Sequence, residues 1–347
     1  MTRLNSVLIV DDEPAVRNIM ARWVAALGLE PETASSAEEA LATLRGQQYD
    51  MAVIDLKMPG RDGRWLVDRL HRDHPNTAVV IATGETSAVD AEPRSGPAAD
   101  PAIADFLIKP FQRDRFVVAV ARGRQWRKQT LEERQWHARL AFELRERTND
   151  ICARLQASVS STVSCSRELD WLTRLMLDRV PDAVEHSRRV ARFAKSIARE
   201  LGFDQAAANV LEVAAKMHDV GKAAMPEALL TKPSPLTPGE TAIMRRHVEA
   251  GVEILAATRE MSQAAPIVQA SHEWFGGGGY PRQLNGTAIP LASRIISVAD
   301  AYDAMTQDRA YRNHLDSADA VGEMLRCCPA QFDPDVVGAF LSVLGTH

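Results

Sequence analysis

Apolar and polar positions along the chain change their rhythm twice. From Ser6 to about Arg122, the short apolar runs SVLIV (6–10), MAVID (51–55), AVVIA (78–82) and FLI (106–108) alternate with helical spacing. Bounded runs of this kind suit strands of a parallel sheet buried on both faces. Val16, Ile19, Met20, Trp23, Val24 and Leu27 recur at helical intervals, as do Ala37, Ala40, Leu41 and Leu44 behind a capping-box pattern at Ser36 and Glu39. The alternation predicts an α/β doubly wound parallel sheet, flavodoxin-like, with a short or broken helix in the Pro/Gly/Ala-rich stretch after Thr83. From Gly123 to Asp170 the pattern becomes charge-dense helix. Leu140, Leu144, Ile151 and Leu155 recur in it at threes, fours and sevens, and SVSSTVSCS interrupts it. This segment reads as a helical connector outside either core and as a candidate for homodimerisation. From Trp171 onward helical periodicity dominates, with Val190, Phe193, Ala194, Ile197, Ala198 and Leu201 on one stripe and Val210, Leu211, Ala214 and Ala215 on the next. That part is expected to be all-α, broken by the loops KPSPLTPGE and FGGGGYP.

Length agrees with this division, since 347 residues at about 150 per domain give two domains and a connector. The expected boundaries are 1–122, 123–170 and 171–347. With 46% hydrophobic and 25% charged residues the chain has globular composition. Its apolar runs fall short of the roughly 18 residues of a membrane span, and no secretory signal follows the start, so the expectation is a cytoplasmic protein away from membranes. A net charge of −5 argues against a nucleic-acid polymer as partner. The four cysteines show no CxxC spacing, so neither a zinc ribbon nor a disulfide framework is suggested.

In an open parallel sheet, ligands bind beyond the carboxyl ends of the strands. Asp11 and Asp12 follow the first run, Asp55 closes the second, Thr83 follows the third and Lys109 the last. Any one of them alone would be an ordinary solvated strand end. Three carboxylates gathered together repel, which favours a hard divalent cation such as Mg²⁺, and Lys109 can pair with Asp55. In this order and spacing, together with VIDLKMPG and the Lys109-Pro110 pair, residues 4 to about 122 closely resemble the response-regulator receiver family. The resemblance implies that Asp55 accepts a phosphoryl group from a histidine kinase and that Asp11, Asp12 and Asp55 hold Mg²⁺. It also implies that Thr83 and Phe106 form the switch pair and that Lys109 contacts the phosphoryl oxygens. The physics agrees, because phosphorylation adds nearly two charges and three acceptors beside a hydroxyl and an ammonium.

In the helical part, His186 and His218 fall on apolar stripes and Asp219 adjoins the second. A lone inward histidine is most often a core residue bonded to a carbonyl. His186, His218, His247 and His272 together with Asp219 and Asp300 point instead to metal, because imidazole suits first-row transition metals and a carboxylate can bridge two ions. The series HSRRV, MHDVGK, RRHVEAG, SHEWFGGGGYP and SVADAYDAMTQDRAYR is similar in order and distance to the HD-GYP branch of the HD phosphohydrolases, over about residues 172–343. That resemblance implies hydrolysis of cyclic di-GMP by a metal-activated water at two divalent cations held by those six residues. Iron or manganese is favoured in a mixed imidazole–carboxylate site without cysteine. By the same resemblance Asp219 and Lys222 are catalytic, with Lys222 facing the scissile phosphate. Gly279, Tyr280 and Pro281 line the substrate and Arg312 contacts phosphate.

Two positions depart from the family pattern. Ser271 stands where the motif has the first of two histidines, so the second cation is expected to bind weakly or with water completing its shell. Gly276 replaces an aspartate, leaving four glycines in a row and the expectation of a floppier loop. Asp182, one turn before His186, is a further ligand candidate but is read as a solvated charge at a helix start. The main reading is a response regulator whose phosphorylation governs a cyclic di-GMP phosphodiesterase. The alternative is a weakened or inactive domain that binds a cyclic dinucleotide or a protein as an adaptor.

Overall fold

The computed structural model describes residues 5–84, 103–159, 165–258, 261–307 and 314–345. The broken helix expected after Thr83, most of the SVSSTVSCS segment and Arg312 lie outside the described residues. The chain divides into two compact units, residues 1–136 and 137–347.

Unit 1 is a five-stranded, all-parallel sheet in the order β2-β1-β3-β4-β5, with β1 Ser6–Val10, β2 Glu30–Ala34, β3 Met51–Asp55, β4 Ala78–Thr83 and β5 Ile103–Ile108. Alternate residues of these strands feed two cores. Leu8, Val10, Ile54 and Ile81 meet α2 (Ala37–Gly46) and α3 (Gly63–Asp73) on one face. On the other, Val7, Ile9, Val53 and Val80 meet α1 (Pro14–Ala26) and the start of α4 (Arg113–Val159). This is the doubly wound arrangement, and it accounts for the continuous apolar runs. One strand escaped the pattern: EPETA of β2 is almost wholly polar, because it pairs only with β1 at the sheet edge and three of its five residues are exposed. The box at Ser36 is half of what was expected. Ser36 accepts from the Glu39 amide at 3.2 Å, but the Glu39 carboxylate bonds the amide and hydroxyl of Ser35 instead of the cap residue.

The connector is not separate from the cores. The last helix of the sheet domain and the charge-dense segment form one 47-residue helix, α4. In its first part Phe116, Ala119 and Val120 belong to the sheet core, and Arg127 pairs with Asp50 at 2.7 Å. In its second part Leu140, Leu144, Ile151 and Leu155 are buried at 1%, 3%, 5% and 1% exposure within the chain itself. That stripe is therefore consumed by the chain's own packing, which removes it as a two-stranded coiled-coil seam.

The rest of unit 2 is helical: α5 Cys165–Arg179, α6 Pro181–Glu200, α7 Gln205–Met217, a 3₁₀ turn Val220–Ala224, α8 Glu227–Leu230, α9 Pro238–Arg245, α10 His247–Ala256, α11 Ala265–Gln269, α12 Leu291–Thr306, α13 Ser317–Arg326 and α14 Pro334–Gly345. The α6 stripe predicted from periodicity is buried at Val190, Ala194, Ile197 and Ala198. Phe193 meets Tyr302 of α12 and Phe340 of α14 edge-on, at centroid distances of 5.3 and 5.8 Å. This aromatic cluster fixes α6 against α12, the two helices that carry His186 and Asp300. No helix among the described residues is long and apolar enough to cross a membrane.

Candidate metal and phosphoacceptor sites

At the carboxyl ends of β1 and β3, Asp11, Asp12 and Asp55 each offer an oxygen within 4.8 Å of the others. Asp11 and Asp55 are buried, at 0% and 4% exposure. The Lys109 ammonium, brought there by the turn after β5, lies 2.6 Å from Asp55 Oδ2 and 2.7 Å from Asp11 Oδ2. Burial disfavours its charge, but the hydrogen bonds to Asp11 and Asp55 outweigh that and raise its pKa. Thr83 is buried at the end of β4 and Phe106 is half-buried in β5. Beside them, Asp105 receives Arg115 of α4 at 2.7 and 2.8 Å, and Arg115 also donates to the Phe106 carbonyl. Sequence reasoning gave Asp105 no role. It ties the strand that carries Phe106 and leads to Lys109 to the first turn of the long helix.

In unit 2, α6 supplies His186, the C-terminus of α7 supplies His218 and Asp219, α10 begins with His247, the turn after α11 gives His272, and α12 gives Asp300. Two groups of three form: His186 with His218 and Asp219, and Asp219 with His247 and His272. Asp219 is common to both. Its approach depends on Gly221, where a Cβ would lie 1.8 Å from the His247 carbonyl, so the HDVGK turn can pack on the start of α10 only with glycine there.

The imidazoles are aimed. His218 Nδ1 lies 2.8 Å from the Ala215 carbonyl and His247 Nδ1 lies 2.9 Å from the Met244 carbonyl. A carbonyl can only accept, so both rings carry the proton on Nδ1 and turn the Nε2 lone pair toward Asp219. His186 Nδ1 donates to Asp303 at 2.7 Å, and its Nε2 is 2.9 Å from Asp300. Facing Nε2 atoms of His247 and His272 approach to 3.1 Å. His218 Nε2 and Asp219 Oδ1 are buried without a hydrogen bond. Their nearest acid and imidazole neighbours stand 3.6 Å and 3.4 Å away. Ligands at about 2.0–2.2 Å from one cation lie roughly 3–4 Å from each other, so these spacings and orphaned atoms fit divalent metal. Lys222 reaches Asp219 Oδ2 at 2.6 Å from a partly exposed position.

Electrostatics follow the same arrangement. Burial opposes charge on Asp219, yet Lys222, His218 and His247 hold its carboxyl well below the usual range. Asp300 is likewise lowered against its burial, chiefly by the hydrogen bond from His186. For His186, burial works against protonation, but the bonds to Asp300 and Asp303 raise it to about 9. His272 is pushed down to about 3 by burial and then by the neighbouring His247.

Gly279, Tyr280 and Pro281 lie in the loop beside His272. Tyr280 stacks on His272 with centroids 5.1 Å apart and planes 5° from parallel, and burial followed by the charge of Asp219 pushes its phenol up to about 12. The loop is pinned in place, contrary to the floppiness expected from four glycines. Glu273, buried, accepts from the amides of Arg282 and Leu284 at 2.7 and 3.0 Å. Gly276 donates to Ala330 O, and a Cβ on it would lie 2.7 Å from that oxygen, so here the glycine serves close approach. Ser271 is buried and turns its hydroxyl to the Val268 carbonyl at 2.9 Å. Asp182 is exposed and outside both groups of three. Asp303 and Glu273 were missed as supporting residues. The signal for Asp303 was its position three residues after Asp300, on one face of α12.

Fold and site together define an α/β domain with an acidic cluster at its strand ends, followed by a helical domain with a candidate metal centre. Comparison with known proteins makes this specific: residues 7–121 match the response regulator receiver domain and residues 170–336 the HD domain. The two matches follow one another along the chain in that order. It is 29% identical to the cyclic di-GMP phosphodiesterase response regulator RpfG of Xanthomonas campestris, over 97% of this chain and 87% of that protein. It is 28% identical to a cyclic di-GMP phosphodiesterase of Thermotoga maritima, over 97% and 90%. A 3'3'-cGAMP-specific phosphodiesterase of Vibrio cholerae is 37% identical over 51% of this chain and 34% of its own length.

Proposed function

We propose that the chain is a response regulator in which phosphorylation of Asp55 controls hydrolysis of cyclic di-GMP by the helical unit. The observation that carries this is Asp219, one buried carboxylate shared by two groups of three ligands. Relatives of both the full length and the helical half are named as cyclic dinucleotide phosphodiesterases. Divalent cations, with manganese or iron favoured by a donor set of imidazole and carboxylate, supply positive charge at the phosphate and lower the pKa of water there. His186, His218, Asp219, His247, His272 and Asp300 hold them. The chain's own part is orientation: backbone carbonyls and Asp303 fix the imidazoles, Lys222 holds Asp219 and offers its ammonium to the phosphodiester, and the Tyr280 loop walls one side. In the receiver, Asp11, Asp12 and Asp55 hold Mg²⁺ and a histidine kinase is the phosphodonor. The adaptor alternative rests on Ser271. Two groups of three candidate ligands form without position 271, and the relatives' names support hydrolysis. Purified protein loaded with Mn²⁺ or Fe²⁺ is expected to linearise cyclic di-GMP, chelator to stop it, and acetyl phosphate with Mg²⁺ to change the rate. Absence of turnover in protein that retains its metal would overturn the hydrolase reading.

A further inference from the structure

The charges around the Tyr280 loop are not used equally. Lys222 is bound to Asp219, Arg189 to Asp303 and Arg294 to Asp333. Arg245, at the end of α9 and two residues before His247, has no carboxylate partner among the described residues, although it is exposed. Its guanidinium lies over the Tyr280 ring, 4.9 Å from the centroid, and that ring is stacked on His272. One aromatic ring therefore separates this cation from the ligand cluster. Its N–H donors have no carboxylate partner among the described residues, and a guanidinium held over a ring can still grip a phosphate with two parallel hydrogen bonds.

We infer that Arg245 is a substrate-specificity residue, donating through its edge to the phosphodiester of a cyclic dinucleotide that is not being cleaved. This rests on the function proposed above. A cyclic dinucleotide carries two phosphodiesters, and the ligand cluster with Lys222 accounts for one. The second anion calls for a further cation beside the cluster; Arg312 lies outside the described residues, and Arg245 is held over Tyr280 with no carboxylate partner among them. A substrate with a single phosphodiester does not reach it.

The test compares Arg245→Ala and Arg245→Lys with the unaltered Mn²⁺-loaded full chain on cyclic di-GMP and on bis(p-nitrophenyl) phosphate. Arg245→Ala is expected to raise KM for cyclic di-GMP about tenfold or more, with kcat little changed, as befits the removal of one charge-assisted hydrogen-bonding partner. Its kcat/KM on the small diester should stay at the wild-type level, and Arg245→Lys should recover only part of the loss. An unchanged KM overturns the inference. So does an equal loss on both substrates, which would make Arg245 a prop for Tyr280. If the unaltered protein hydrolyses neither compound, calorimetric binding of cyclic di-GMP decides. Weaker binding by Arg245→Ala then upholds the role of Arg245 while the hydrolase reading fails. Equal binding, or none by either protein, overturns that role.

Discussion

The two units surround their gathered acids with different neighbours. In the sheet domain the protein carries its own counter-charge: one lysine bridges Asp11 and Asp55 within 2.7 Å, so the acidic cluster is neutralised in part before any ion arrives. In the helical domain Lys222 likewise pairs with Asp219 at 2.6 Å, but most of the neighbours are imidazoles: His186 meets Asp300, His218 and His247 commit Nδ1 to backbone carbonyls, and His218 Nε2 and Asp219 Oδ1 are left without hydrogen bonds. A site with orphaned buried atoms leaves a desolvation cost that a resident cation offsets.

This contrast can be broken most directly by removing one acid from each side. Asp219→Asn is expected to lower hydrolysis by roughly 10³-fold or more and to strip metal from the helical unit, because both groups lose a ligand. Asp55→Asn should abolish phosphoryl incorporation from acetyl phosphate while leaving that metal content unchanged. Mass spectrometry and elemental analysis of the two variants read both effects, and equal metal content in Asp219→Asn would end the two-group picture. A smaller effect is expected at Asp303, which binds no metal in this scheme but holds His186 by Nδ1. Asp303→Asn should weaken metal affinity about 10–100-fold, measured by competition with a chelating dye.

Two further variants probe packing. Gly276→Asp restores the residue of the family pattern, yet it should cost about 1–3 kcal/mol in thermal or denaturant unfolding because its Cβ meets the Ala330 carbonyl. Asp105→Asn should cost about 1 kcal/mol, because Arg115 is substantially exposed and solvent screens the pair. The Asp105 pKa is lowered despite burial, through Arg115 first. Its stabilisation is therefore present above the ordinary carboxylate range and disappears as pH falls through its depressed value. The stability gap between wild type and Asp105→Asn should close below about pH 4, and a constant gap across that range would show that charge is not involved.

What could be read from the chain alone was what periodicity and side-chain chemistry encode locally. The four apolar strands announce themselves because both their faces are buried, whereas β2 lies at the edge with Glu30, Pro31 and Glu32 exposed and gives no such signal. The candidate ligands stood out by residue type and order. Their supports did not, since Asp303 and Glu273 matter through the partners they meet in space. Ser271 shows the same limit: the sequence marks a lost imidazole, but only the structure shows its hydroxyl engaged with the Val268 carbonyl. The Gly276 loop was misjudged because composition reports backbone freedom and cannot report Ala330.

The boundary between the units falls inside an uninterrupted helix, and this constrains any attempt to take the protein apart. A fragment starting at Trp171 would lack Leu140, Leu144, Ile151 and Leu155 and would leave their apolar seat open to water, inviting aggregation. A soluble catalytic fragment has to begin upstream of Leu140.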